Sequence, residues 1–83
     1  MSKSEFQVQQ INTMLKHLTL AFRHCNMYND LKEMYYNKEN ETVEVIYWIN
    51  KQQETAKLEV NVACDSYSAM IHDVEQRVYK FFS

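Results

Sequence analysis

His17 and His24 stand seven residues apart, with Cys25 beside the second, and imidazole and thiol are the donors zinc prefers. On a helix, seven residues make about two turns and roughly 10 Å of rise, whereas zinc holds its ligands about 2 Å from one centre. One ion cannot take both imidazoles, so no metal site is expected. His72 precedes Asp73, but neighbouring residues of a helix point in different directions and do not form a held acid–base pair. Ser66 and Ser68 flank Tyr67; a nucleophilic serine needs a base and a third group to orient that base, and helix capping accounts for both hydroxyls. Glu39, Glu41 and Glu44, with lysine interleaved, read as a solvated loop and strand edge.

The chain contains no glycine and no proline. Phosphate-cradling loops, oxyanion turns and dinucleotide fingerprints need glycine, because their backbone takes positive φ or lets a ligand approach closely. None can be built here, and no cofactor is expected. The chemistry-bearing residues therefore point away from an enzyme and toward a binding or regulatory module.

With 83 residues the chain is expected to form a single domain spanning residues 1–83. Two cysteines could form one disulfide, but no apolar export segment follows Met1, so a reducing cytoplasm is the expected location. Both thiols read as small buried hydrophobes, Cys25 on a helix stripe and Cys64 on a strand. No apolar run is long enough to span a bilayer. A hydrophobic fraction of 46%, with six Tyr, four Phe and one Trp, gives a small core apolar surface to spare and favours self-association, most simply a homodimer. The net charge of −2 fits neither a basic nucleic-acid binder nor a dense acidic mimic of one.

Apolar periodicity supplies the elements. Val8, Ile11, Leu15, Leu18, Phe22 and Cys25 recur at steps of three and four, so a helix is expected over residues 4–27, opened by a capping box between Ser2 and Glu5. The blocks Asn37-Lys38-Glu39-Asn40-Glu41-Thr42 and Asn50-Lys51-Gln52-Gln53-Glu54-Thr55 resemble one another and read as two polar hairpin loops built on type I turns. They delimit strands at residues 31–36, 42–49 and 55–64, although Leu31, Met34 and Tyr35 also fit helical spacing. In the third strand, Ala56, Leu58, Val60, Val62 and Cys64 alternate with polar residues, giving one core face and one wet face. Asp65 or Ser66 then caps a second helix over residues 66–81, with Tyr67, Met70, Ile71, Val74, Val78 and Phe81 on one side. The expected fold is α+β, in the order α-β-β-β-α: a three-stranded antiparallel meander with two helices packed on one face.

The same element order occurs in double-stranded RNA-binding domains, which this chain resembles in topology alone. Those domains grip phosphates with lysines at the start of the second helix, where this sequence has Asp65-Ser66-Tyr67-Ser68-Ala69. The remaining candidate is the outer face of the sheet. Ile46 and Trp48, expected beside Met34 and Tyr36, would lie uncovered there and form a partner-binding patch. The outer strands lack proline and bulge glycine, which leaves an edge route to partners as well. The leading expectation is a non-enzymatic protein-interaction module with an unidentified protein partner, of a scale similar to small phage-encoded or bacterial regulators and inhibitors. The alternative is weak nucleic-acid binding through Lys3, Lys16 and Arg23 of the first helix.

Overall fold

The computed structural model describes residues 4–25, 28–62 and 66–82. Its elements are α1 (Glu5–Arg23), β1 (Leu31–Asn37), β2 (Thr42–Ile49), β3 (Glu54–Asn61) and α2 (Tyr67–Phe82), in that order. The three strands form one antiparallel sheet in the order β1-β2-β3. The expected α+β meander is therefore the fold. The segment at 31–36 is strand rather than helix, the third strand stops at Asn61, and the expected continuation over 63–64 lies outside the described residues.

Helix α1 begins where expected, on a capping box between Ser4 and Gln7; Ser2 of the expected Ser2–Glu5 box lies outside the described residues. Ser4 Oγ accepts from the Gln7 amide at 3.2 Å, and the Ser4 amide donates to Gln7 Oε1 at 2.9 Å. Each group satisfies a backbone or side-chain partner that the first turn would otherwise leave to water. The helix ends at Arg23, short of the expected residue 27. The His24 amide donates to Ala21 and Phe22 carbonyls, Cys25 N–H to Phe22 O at 2.9 Å, and Tyr28 N–H to Cys25 O at 3.1 Å, a tightening of the last turn. Tyr28 causes the stop: its ring is buried, 4.7 Å from Phe22 and 6.1 Å from Phe82 between centroids, so the chain must turn inward there. Cys25 is consequently exposed with a free thiol, which corrects its expected place in the core; Cys64 lies outside the described residues. Helix α2 starts on Ser66, whose Oγ accepts from the Ala69 amide at 3.1 Å.

The two loops differ. In the first, Asn37 Oδ1 accepts from the Glu39 and Asn40 amides at 3.0 and 3.3 Å, as an asparagine-started turn should, and Glu41 closes it at φ 55°. The second is not a type I turn: Asn50, Lys51 and Gln52 lie in succession at φ 53°, 58° and 68°, all left-handed. A chain without glycine has placed ordinary side chains in a conformation they resist.

Register explains the layers. Met34, Tyr35 and Tyr36 oppose Val45, Glu44 and Val43, but Leu31 opposes Tyr47 and Glu33 opposes Ile46, so Lys32 is an extra residue in a β-bulge. The bulge lets Leu31 and Met34, three residues apart, both enter the core, where a regular strand would send them to opposite faces. On that face Leu31, Met34, Tyr36, Val43, Val45 and Val60 meet Ile11 and Leu15 of α1 and Met70, Val74 and Val78 of α2 in one cluster. Both helices thus share one side of the sheet.

Candidate protein-binding face of the sheet

The opposite side is set by β2. Glu44, Ile46 and Trp48 alternate with the core residues Val43, Val45 and Tyr47, the last of which packs its ring 4.9 Å from Phe81 and 5.8 Å from Phe82 on the helix side. From β3, Thr55, Lys57 and Glu59 oppose Trp48, Ile46 and Glu44; from β1, Glu33 and Tyr35 oppose Ile46 and Glu44. The face therefore carries a row of Glu44, Ile46 and Trp48 flanked by charge and by the Tyr35 ring.

Ile46 and Trp48 lie on this outer face, where they are half-buried and not fully uncovered. Met34 and Tyr36 are not beside them. Both are buried in the core against Val45 and Val43, on the helix side of the sheet, because their register across from those valines fixes their direction. The expected patch of four residues is thus corrected to two, joined by Lys32 and Lys57 and by Glu44, which is buried here and not solvated as expected.

Lys32 is the first of these. Its place in the bulge aims it over the outer face, where Nζ lies 4.8 Å from the centre of the Trp48 ring. The Trp48 amide donates to the Asp30 carbonyl at 2.7 Å, which extends the β1–β2 pairing beyond Leu31 and fixes the indole's backbone. At the other end of the row, Glu44 is only 4% exposed although it belongs to the open face. Lys57 Nζ reaches its Oε1 at 2.8 Å, and Tyr35 and Asn37 side chains donate to the same carboxylate. Lys57 also lies 3.7 Å from Glu59. The Lys57 and Tyr35 hydrogen bonds hold the Glu44 carboxyl below the ordinary carboxylate value, outweighing the opposite pull of burial. The same carboxylate raises Tyr35 and Lys57 above their ordinary values, in each case chiefly through the hydrogen bond. This cluster is a clasp that fixes side chains across all three strands.

Nothing in this arrangement pairs a nucleophile with a base. His17, His24 and His72 are exposed, and the described residues contain no group of three His, Cys, Asp or Glu placed to hold a metal ion. No described helix is long and apolar enough to cross a membrane.

Glu44 and Lys57 were readable from alternation, since Glu44 shares the phase of Ile46 and Trp48 in β2 and Lys57 lies on the polar face of the third strand. Lys32 was not, because only the bulge turns it outward; the signal for it is the three-residue spacing of Leu31 and Met34. No family model matches this sequence, and comparison with curated proteins and with solved structures found no match.

Proposed function

We propose that this chain is a non-enzymatic protein-binding module that assembles as a homodimer, with the outer face of the sheet as its contact surface. One observation carries the reading. The two helices bury their apolar stripes on a single side, so the other side presents Trp48, Ile46 and Tyr35 with no described helix over them. A half-buried tryptophan with an aliphatic neighbour and a ring of charge is the composition of an interface centre and its rim. The clasp around Glu44 supports the same reading, since side chains ordered before contact lose less entropy on binding. A regulator or inhibitor of this size, phage-encoded or bacterial, would act by covering a partner's surface rather than by turning over a substrate.

Sedimentation equilibrium of the wild type and of Trp48→Asp and Ile46→Lys tests this. The wild type should self-associate, and both variants should be monomers with unchanged circular dichroism. A monomeric wild type, or folded variants that still associate, would remove the face from consideration as the dimer contact.

A further inference from the structure

A groove of about 350 Å³ runs between the second half of α1 and the start of β1, where Lys16, Leu20 and Arg23 face Lys32, Glu33 and Met34. Its volume lies at the lower end of ligand clefts. Three cations and one carboxylate border it, in a chain whose net charge is −2, so positive charge is concentrated here against the trend of the whole molecule. Lys16 and Arg23 are seven residues apart on α1 and share one side of the helix, with the exposed Leu20 between them.

The floor is a sheet edge. β1 is an outer strand, and its Tyr36 amide points away from β2, donating to Asn12 Oδ1 of α1 at 2.7 Å. Strand direction alternates with a period of two, so the Met34 amide points to the same side, into the groove. Among the described residues no side chain plays for Met34 the part Asn12 plays for Tyr36. The groove therefore offers a main-chain donor, apolar surface from Leu20 and Met34, and cations at its rim.

We propose that this groove binds a short acidic segment of a partner protein, laid in extended conformation along the first residues of β1. Main-chain pairing to the edge holds the segment, its apolar side chain meets Leu20 and Met34, and its carboxylates meet Lys16 and Arg23. Lys32, engaged with the Trp48 ring at 4.8 Å, supplies positive field from the rim. A nucleic acid is the poorer occupant. Three cations in a chain of net charge −2 are a small footprint for a phosphate backbone, and a strand edge pairs along its length with an extended peptide main chain, which a nucleic acid lacks. The groove shares Lys32 and Glu33 with the border of the outer sheet face but neither Trp48 nor Ile46, so either reading can fail alone.

The test uses a fluorescein-labelled, end-capped peptide of alternating Glu and Val, titrated against the full chain at low salt and read by anisotropy, with amide proton shifts recorded in parallel. Binding should move the Leu20 and Met34 amides. Lys16→Glu/Arg23→Glu, two exposed positions that leave the circular dichroism unchanged, should weaken it about tenfold or more. The same peptide with N-methylated backbone should lose a similar factor, and one with Lys in place of Glu should not bind. The proposal is overturned if the acidic peptide does not bind, if the double variant or the N-methylated peptide binds as well as the parent, or if an oligothymidine displaces the peptide.

Discussion

Replacing Lys51 by glycine should make this protein more stable, although it removes a side chain and loosens the unfolded chain. Lys51 sits at φ 58° between Asn50 at 53° and Gln52 at 68°. An L-residue with a Cβ in that region costs about 1–2 kcal/mol through its clash with the following carbonyl. Glycine removes the clash but gives the unfolded state freedom worth about 0.4–1 kcal/mol. The difference leaves a gain of about 0.5–1 kcal/mol, which for a domain of this size raises Tm by about 2–8 °C. Lys51→Asn should stabilise less, since asparagine keeps its Cβ and relieves only part of the clash. Lys38 is the matched control: it occupies the other hairpin loop, is equally exposed, and does not have positive φ. Lys38→Gly should therefore lower stability by about 0.4–1 kcal/mol. Urea titration followed by circular dichroism reads all three, with the midpoint moving and the slope constant. If Lys51→Gly and Lys38→Gly shift the midpoint in the same direction, the argument from left-handed strain is wrong.

Three further outcomes follow from the packing and charge. Leu15→Ala empties a fully buried site between α1 and the sheet and should cost about 2–5 kcal/mol, a large part of the roughly 4–12 kcal/mol expected for 83 residues, seen as a midpoint shift in the same titration. Asn12→Ala leaves the part-buried Tyr36 amide without its acceptor and should cost about 1–3 kcal/mol; the check is faster hydrogen exchange at Tyr36 than at Tyr35. Because the folded protein holds Glu44 below its ordinary value of 4.5, the Glu44 contribution is complete above that pH and is lost as pH falls through the lower folded value. Lys57 and Tyr35 are raised above 10.5 and 10.0, so their contributions are complete below those values and are lost as pH climbs through the folded ones. Glu44→Gln should flatten the acid limb of a stability–pH profile and reduce the alkaline one, and an unchanged acid limb would show that the clasp does not form in solution.

Much of this architecture was legible from residue order because each level of the sequence agrees with the next. The polar blocks starting at Asn37 and Asn50 mark both hairpins, and the three-four periodicity of Ile11, Leu15, Met70, Val74 and Val78 marks the helix faces that reach the core. Where tertiary contact overrode local pattern, the reading failed. Cys25 continues the helical stripe, yet burial of Tyr28 against Phe22 and Phe82 turns the chain before that position is reached. Met34 and Tyr36 were assigned to the wrong side because the first hairpin's register, which pairs them with the core residues Val45 and Val43, was not worked out; the added residue at Lys32 then keeps Leu31 on the same side as Met34. The twin loops have similar sequences but unlike backbones, since nothing in Lys51 or Gln52 announces a left-handed conformation.

The Asn12 contact with Tyr36 also bears on how copies of this protein can line up side by side. A full-length strand approaching the β1 margin meets the Asn12 side chain at Tyr36 and a ladder interrupted at Lys32, so that margin has room for a short segment only, whereas the β3 margin borders no other described strand. Lateral growth by whole strands therefore has a single open side. Two copies joined there by a two-fold axis would use it up, so ribbon formation through this sheet ends at a closed six-stranded pair instead of running on into a fibre.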